Sequence, residues 1–369
     1  MAYTVLQLLP DLNVGGVERG TIEIAQALVS AGHRAIVISS PGRLVEELRD
    51  CGAEHIPMPI GKKSLSTLRC IPSLRKIIVE KQVDIVHARS RLPAWIGWLA
   101  IKPLKPPTRP HWVTTVHGPY SVNRYSEIMM SGEKVIAISQ FIKDYVASNY
   151  ARVDLEKIKI IHRGINTAVF NHSYTPSDEW MSRWRNSEYF EQDRKILLFP
   201  GRLTRWKGQH TFIDVMDKLK NGKNPPFALF VGNQTDSKSN YENELRNLVE
   251  QRRLGHLVHF LGRRNDLLDL FSVSDISYSL PETPEAFGRT TLEALSVGTP
   301  VIGYDRGGTG EILQHLFPEG RVQEGRVDEV AQRTIDFLNH PPVVRENNIM
   351  TLAAMQAATL ATYDSLVLA

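Results

Sequence analysis

Cysteine is nearly absent: only Cys51 and Cys70 occur in 369 residues. They form neither a CxxC pair nor a zinc-ligand spacing. A disulfide framework is therefore excluded, and a reducing compartment is expected. Long apolar runs are also missing. The longest, residues 92–99, falls well short of the ~20 apolar residues that a membrane span needs. The opening segment MAYTVLQLLPDLN has no basic leader and meets Asp11 early, so it reads as a core strand and not as a signal peptide. No Asp-x-Asp pair occurs, which removes the commonest signal for a metal-held diphosphate. No GxGxxG follows the first apolar run, which disfavours a nicotinamide dehydrogenase. Repeats and low-complexity segments are absent as well.

What is present points to two α/β domains. The length favours two domains, and a hydrophobic content of 42% is ordinary for a globular chain. In the first half, short Val/Ile/Leu-rich runs stand at 5–9, 35–39, 83–87, 112–116, 135–138 and 158–162. Near-continuous apolar runs of this length suit parallel strands buried on both faces. Helix-length segments lie between them, such as 17–30, with a stop signal at Gly32. From Asn171 to Asp193 the pattern breaks into a polar stretch carrying Trp180 and Trp184, four apart, as on a short surface helix. Strand runs resume at 196–199, 228–231, 257–261, 276–279 and 300–303. The expected layout is an amino-terminal domain over 1–170, a connection over 171–192 and a second domain over 193–345. A helical segment over 346–369 is expected to return to the first domain. Two such domains are expected to bind ligand in a cleft between them, at strand carboxyl ends.

Charge is uneven, although the net value is only +4. Between His55 and Pro110 eleven Lys or Arg face only two acids, Glu80 and Asp84. With Trp95, Trp98 and Trp112 nearby, this stretch is a candidate for docking on an anionic membrane or a phosphorylated lipid. A solvated basic surface over core tryptophans explains the same residues.

Two segments of the second half carry chemistry. Leu198-Phe-Pro-Gly-Arg-Leu-Thr-Arg-Trp-Lys-Gly208 reads as strand, glycine turn and helix start. Arg202 and Lys207 flank that turn, and a guanidinium, an ammonium and helix N–H groups together suit a diphosphate. The second segment runs from Ser279 to Gly303. It holds a proline-rich loop with Glu285, a helix expected from about Gly288 to Gly298, and Glu293 within that helix. The two glutamates stand more than a helical turn apart, so they do not read as an acid/base pair on one bond. They suit two acceptors for different hydroxyls of one extended ligand. The N–H groups of Phe287, Gly288 and Arg289 would face the same ligand. Taken singly, surface charge and helix capping explain each of these residues.

Together, Glu285-x7-Glu293, Gly201-Arg-Leu-x3-Lys-Gly208 and Gly298-Thr-Pro-Val-Ile resemble the signature of glycosyltransferase family 4. Such enzymes are retaining and have the GT-B fold, two Rossmann-like doubly wound domains facing each other across a cleft. The resemblance covers nearly the whole chain. It implies a catalytic set of His117, Arg202, Lys207 and Glu285. It implies donor-sugar contacts at Glu285 and ribose contacts at Glu293. Arg202 and Lys207 would hold the pyrophosphate, and Arg263 falls in the segment that contacts the base. Gly15 and Gly16, after the first strand, match the family's amino-terminal glycine loop, and Phe287, Gly288 and Arg289 complete the donor-binding set. Gly307-Gly308-x2-Glu311 also fits. His87-Ala-Arg-Ser-Arg-Leu-Pro-Ala-Trp95 and Glu285-Ala-Phe-Gly-Arg-Thr290 look like bacterial enzymes of the lipopolysaccharide core, some of them mannosyltransferases. Arg289 departs from the family's usual aliphatic residue, and Gly232-Asn233 from its Gly-Asp or Gly-Glu.

The resemblance thus implies transfer of a hexose from a nucleotide sugar to a glycan or lipid-linked acceptor. GDP-mannose is the preferred donor, with UDP- and ADP-sugars open. No metal or other cofactor is expected, and no nucleic-acid partner. A cytoplasmic location is expected, with peripheral contact on the inner face of the plasma membrane as its extension. A nucleotide-sugar epimerase of the same fold and a non-catalytic nucleotide-sugar-binding protein are the alternatives. A donor-only incubation separates the first, and failure to consume donor with any acceptor separates the second.

Overall fold

The computed structural model describes residues 2–13, 15–233 and 240–368. The expected domain limits at residues 1 and 369 lie outside them. The chain divides into two compact units, Met1–Gly164 with Leu352–Ala369, and Ile165–Thr351.

The first unit is built on seven strands: β1 (Thr4–Asp11), β2 (Arg34–Ser40), β3 (Glu54–Pro57), β4 (Ile85–Ala88), β5 (His111–Val116), β6 (Lys134–Ala137) and β7 (Ile158–Ile160). Their order is β3-β2-β1-β4-β5-β6-β7, with every pairing parallel. Strands β2 and β4 flank β1, so the order reverses there. That reversal opens a crevice at the strand carboxyl ends. Helix Gly16–Ser30 follows β1 and buries Thr21, Ile24, Ala25 and Leu28, spaced on one face.

The carboxyl-terminal helix, Leu352–Val367, belongs to this unit. It begins later than the helical stretch expected from 346, because residues 341–347 take no helical hydrogen bonds. Met355, Thr359, Thr362 and Tyr363 are buried at helical spacing. Met355 and Tyr363 pack in one apolar cluster with Val5, Leu9, Ile24 and Leu28. This fixes the chain end to the first sheet.

The second unit holds β8 (Ile196–Pro200), β9 (Phe227–Val231), β10 (Val258–Phe260), β11 (Ile276–Ser279), β12 (Val301–Tyr304) and β13 (Arg321–Val322). The order is β10-β9-β8-β11-β12-β13, again parallel throughout. The reversal here lies between β8 and β11. Residues 171–192, expected as a connection, pack inside this unit. Trp180 and Trp184 stack at 5.4 Å on helix Asp178–Arg185, and both are buried. Trp180 Nε1 donates to Asp266 at 2.7 Å, and Tyr174 donates to Asp269 at 2.5 Å. An indole N–H finding a carboxylate is what makes burial of these rings tolerable.

Candidate functional site

The topology of the second unit brings the two chemistry-bearing segments together. β8 and β11 are hydrogen-bonded neighbours, so the loops leaving their carboxyl ends, 201–208 and 280–288, are adjacent. Glu282 N–H donates to the Trp206 carbonyl at 2.8 Å, tying one loop to the other. Gly208 sits at φ +82° with a side-chain position only 1.8 Å from the Leu280 carbonyl oxygen. Any Cβ there would drive the loops apart.

Lys207 and Glu285 form an ion pair across this junction, with side chains 16% and 10% exposed. Lys207 also lies over the Trp206 ring, 4.6 Å from its centre. The 280–288 loop is held from behind. Gly308 N–H donates to the Glu285 carbonyl at 2.8 Å, and Arg306 donates to the Pro281 carbonyl at 2.7 Å. A side chain at Gly308 would meet the Phe287 backbone at 2.2 Å. Helix Arg289–Val297 then starts with Gly288 at its N-cap and ends at Gly298. Phe287 is buried beneath the start of that helix. On the helix, Arg289 Nε donates to Glu293 Oε1 at 2.8 Å, one turn apart. Each glutamate expected to read a hydroxyl therefore carries its own cation.

The other expected residues distribute as follows. Arg202 is exposed beside Gly201, and its carbonyl accepts from buried Gln209 Nε2 at 2.9 Å, which braces the turn. Arg263 is exposed after β10, at the same sheet end but two strands from β8. Gly15, Gly16 and His117 belong to the first unit. Gly15 caps helix Gly16–Ser30, and the Glu18 carboxylate lies against it, 2.3 Å from where a Cβ would stand. A carboxylate is the wrong charge to welcome a phosphate at that end. His117 follows β5. Its Nε2 is buried with no hydrogen-bond partner. Burial, and then the charges of Arg163 and Arg89, push its pKa well below the ordinary histidine value, so the ring is neutral. Among the described residues, no group of three or more His, Cys, Asp or Glu stands close enough to hold a metal ion.

A family model for glycosyltransferase family 4 matches residues 14–169, and one for glycosyl transferases group 1 matches residues 181–351. A glycosyltransferase from Rickettsia africae superposes with a TM-score of 0.86 at 30% identity, over 99% of both chains. The chain belongs to glycosyltransferase family 4. The two parallel sheets match the GT-B fold of such enzymes. Anabaena Alr3699/HepE, solved with UDP and glucose, matches with a TM-score of 0.79 at 21% identity, over 98% of this chain and 99% of that one. Among curated proteins, the putative glycosyltransferase YtcC of Bacillus subtilis is 25% identical over 218 residues, 58% of this chain and half of that protein. The lipopolysaccharide core biosynthesis mannosyltransferase LpsB of Rhizobium meliloti is 26% identical over 163 residues, 44% of each.

Several supports of this site were not visible in the sequence. Gln209, Glu282 and Arg306 hold the loops through backbone carbonyls and N–H groups, and such contacts leave no residue pattern. The Gly307-Gly308 pair was visible, and its work is to admit the Glu285–Phe287 backbone. The pairing of Arg289 with Glu293 was legible in their spacing of four, once a helix was expected there.

Proposed function

We propose that this glycosyltransferase is a retaining, metal-independent hexosyltransferase acting on a nucleotide sugar. The observation that carries the reading is the junction of Lys207 and Glu285 at the sheet reversal of the second unit. A nucleotide sugar is a diphosphate flanked by a sugar and a ribose. Lys207 and Arg202 suit the diphosphate, and Glu285 and Glu293 suit hydroxyls on either side of it. The start of helix Arg289–Val297 adds partial positive charge.

In the proposed reaction an acceptor hydroxyl attacks the anomeric carbon on the face from which the diphosphate leaves. The anomeric C–O bond breaks, its electron pair goes to the leaving phosphate, and that oxygen takes the acceptor's proton. Charge grows on the diphosphate as the bond breaks, so fixed cations there lower the barrier most. They take the place a metal ion would fill. The neutral His117 ring, with its unpartnered Nε2, suits a hydrogen bond to a sugar or acceptor hydroxyl. As donor, GDP-mannose is supported by the likeness to the mannosyltransferase LpsB. UDP-glucose is the second choice, supported by Alr3699/HepE. The acceptor read from the same likeness is a lipopolysaccharide core or another lipid-linked glycan.

The test is a thermal-shift panel of GDP, UDP, ADP, GDP-mannose and UDP-glucose on the wild type and on Glu293→Ala. A ligand bound only by the folded state raises the melting temperature. One nucleotide is expected to stabilise the wild type, with a smaller effect on Glu293→Ala. Turnover of the matching donor is expected to survive EDTA. Loss of turnover in EDTA, restored by Mn²⁺ or Mg²⁺, would overturn metal independence, and no stabilisation by any nucleotide would overturn the donor site.

Peripheral membrane contact is a second proposal, and it rests on one feature of the first unit. Leu65 and Leu68 are exposed, at 87% and 49%, on the short helix Leu65–Arg69. Exposed Lys62, Lys63 and Arg69 flank them. Of the tryptophans, Trp95 and Trp98 are half-buried, with Lys102 over the Trp98 ring. Trp112 is buried and donates to Ser131, and Trp95 donates to the Tyr125 carbonyl.

A further inference from the structure

We infer that Glu285 competes with the donor's phosphates as counter-ion of Lys207, and that this pair opposes binding of nucleoside diphosphate and drives its release after transfer. The inference rests on the proposed donor site and concerns what that site does when no donor fills it. Lys207 and Glu285 come from different loops, 78 residues apart, yet pair at the bottom of the junction with little exposure. Neither is a surface residue idling in solvent. An ammonium this enclosed needs an anion beside it, and the Glu285 carboxylate is that anion.

The diphosphate of a donor asks for the same ammonium. To bind it, Lys207 must turn N–H donors from Glu285 to the phosphates, and the Glu285 carboxylate then needs other partners. An intact donor brings those partners, because its sugar hydroxyls lie next to the diphosphate and can donate to the freed carboxylate. The nucleoside diphosphate product cannot. Once the sugar has gone to the acceptor, Lys207 is again the donor that meets the Glu285 carboxylate, as it does among the described residues. The carboxylate then competes with the product for the ammonium. The same pair therefore costs little against the substrate and more against the product. It is a discriminator between the two, built from residues the site already needs.

The apparent affinity of a ligand falls by the fraction of sites that are competent to receive it. Breaking the competition should therefore strengthen product binding, even though it removes a residue of the site. Glu285→Gln keeps the shape and leaves Lys207 without its anion. The experiment is titration calorimetry of GDP, UDP, ADP and inorganic pyrophosphate against the wild type and Glu285→Gln, with folding of each checked by melting. The variant is expected to bind the preferred nucleoside diphosphate roughly threefold to tenfold tighter, to bind pyrophosphate tighter as well, and to turn over more slowly with stronger inhibition by product.

Repulsion between Glu285 and the phosphates would also be relieved by this change, so a second background separates the two causes. In Lys207→Met there is no ammonium to compete for, and adding Glu285→Gln is expected to produce no further gain. Unchanged or weaker diphosphate binding by Glu285→Gln overturns the inference. So does an equal gain in the Lys207→Met background. If neither wild type nor Glu285→Gln binds any of the four probes, the donor-site reading itself fails, and this inference falls with it.

Discussion

At the scale of single residues, glycine decides whether the site can form at all. Gly208 holds a left-handed conformation against the Leu280 carbonyl, and that contact sets the spacing of the two loops. Gly208→Ala adds the ~1–2 kcal/mol cost of that conformation for a residue with a Cβ. It adds as well the displacement of a backbone carbonyl that cannot rotate away. A loss of about 2–4 kcal/mol is expected, seen as a lower melting temperature together with weaker nucleotide binding. Gly16→Ala is the contrast. Its side-chain position is open, with nothing within 4 Å. That change is expected to leave melting unchanged or raise it by about one to three degrees, since an alanine at an unstrained position stabilises by about 0.4–1 kcal/mol through the unfolded chain. Equal melting of the wild type and Gly208→Ala would show that the loops adjust, and the account of the junction would be wrong. The sequence marked this glycine only as part of a motif. Its physical reason, a carbonyl from a loop some seventy residues away, becomes visible only when β8 and β11 are neighbours.

At the scale of elements, most strands were legible because parallel strands buried on both faces leave unbroken apolar runs. The two that escaped are edge strands. β3 is four residues, Glu54–Pro57, half-buried and ending in proline, and β13 is only Arg321–Val322. Neither has enough apolar sequence to stand out. The carboxyl-terminal helix was legible as a helix, but its register was not. Tyr363 is fully buried, and its hydroxyl lies 2.6 Å from His87 Nδ1 on β4, 276 residues away. His87 Nε2 lies 2.7 Å from Thr115 Oγ1 on β5. Both ring nitrogens are thus satisfied without a charge. Burial, then the charges of Arg89 and Arg163, hold the His87 pKa well below the ordinary value.

That arrangement has a definite pH signature. A histidine whose pKa is lowered by folding binds its proton in the unfolded chain first. Its stabilising contribution is complete above about pH 6.5, the unfolded value, and is lost as pH falls below it toward the folded value. His87 and His117 act in the same direction, each with a slope of up to about 1.4 kcal/mol per pH unit. Stability against chemical unfolding is expected to fall clearly from pH 7.5 to pH 5.5, and His87→Gln is expected to flatten that slope. Tyr363→Phe leaves His87 Nδ1 without its partner and is expected to cost about 1–3 kcal/mol at pH 7.5. Stability that does not change between pH 7.5 and pH 5.5 would contradict neutral, buried histidines.

At the scale of the whole molecule, the basic stretch of the first unit separates into residues with structural work and residues without it. Arg89 is buried and donates to Gln7 Oε1 at 2.7 Å. Arg75 donates to the Leu99 and Ala100 carbonyls near the end of helix Arg91–Ile101, and Lys81 pairs with Glu54 at 2.8 Å. Lys62, Lys63, Arg69, Lys102, Lys105 and Arg109 stay exposed. Composition showed the excess but could not sort it, because sorting depends on which carbonyls and carboxylates the fold brings near. No helix among the described residues is long and apolar enough to cross a membrane. The proposed membrane contact would bring a lipid-linked acceptor to the protein at the bilayer surface. Exposed leucines beside lysines suit that surface, the apolar groups entering the interface and the cations facing anionic headgroups. Each surface cation contributes about 1 kcal/mol at low salt, screened within a Debye length of about 10 Å at 0.1 M. Vesicles containing anionic lipid are thus expected to bind the protein at low salt and to release it as salt rises, while neutral vesicles bind it weakly. Leu65→Glu with Leu68→Glu is expected to weaken vesicle binding without moving the melting temperature or the nucleotide affinity, since both side chains already face solvent. Equal binding to neutral and anionic vesicles would remove the basic patch from the account. Full binding by the double variant would remove the leucines.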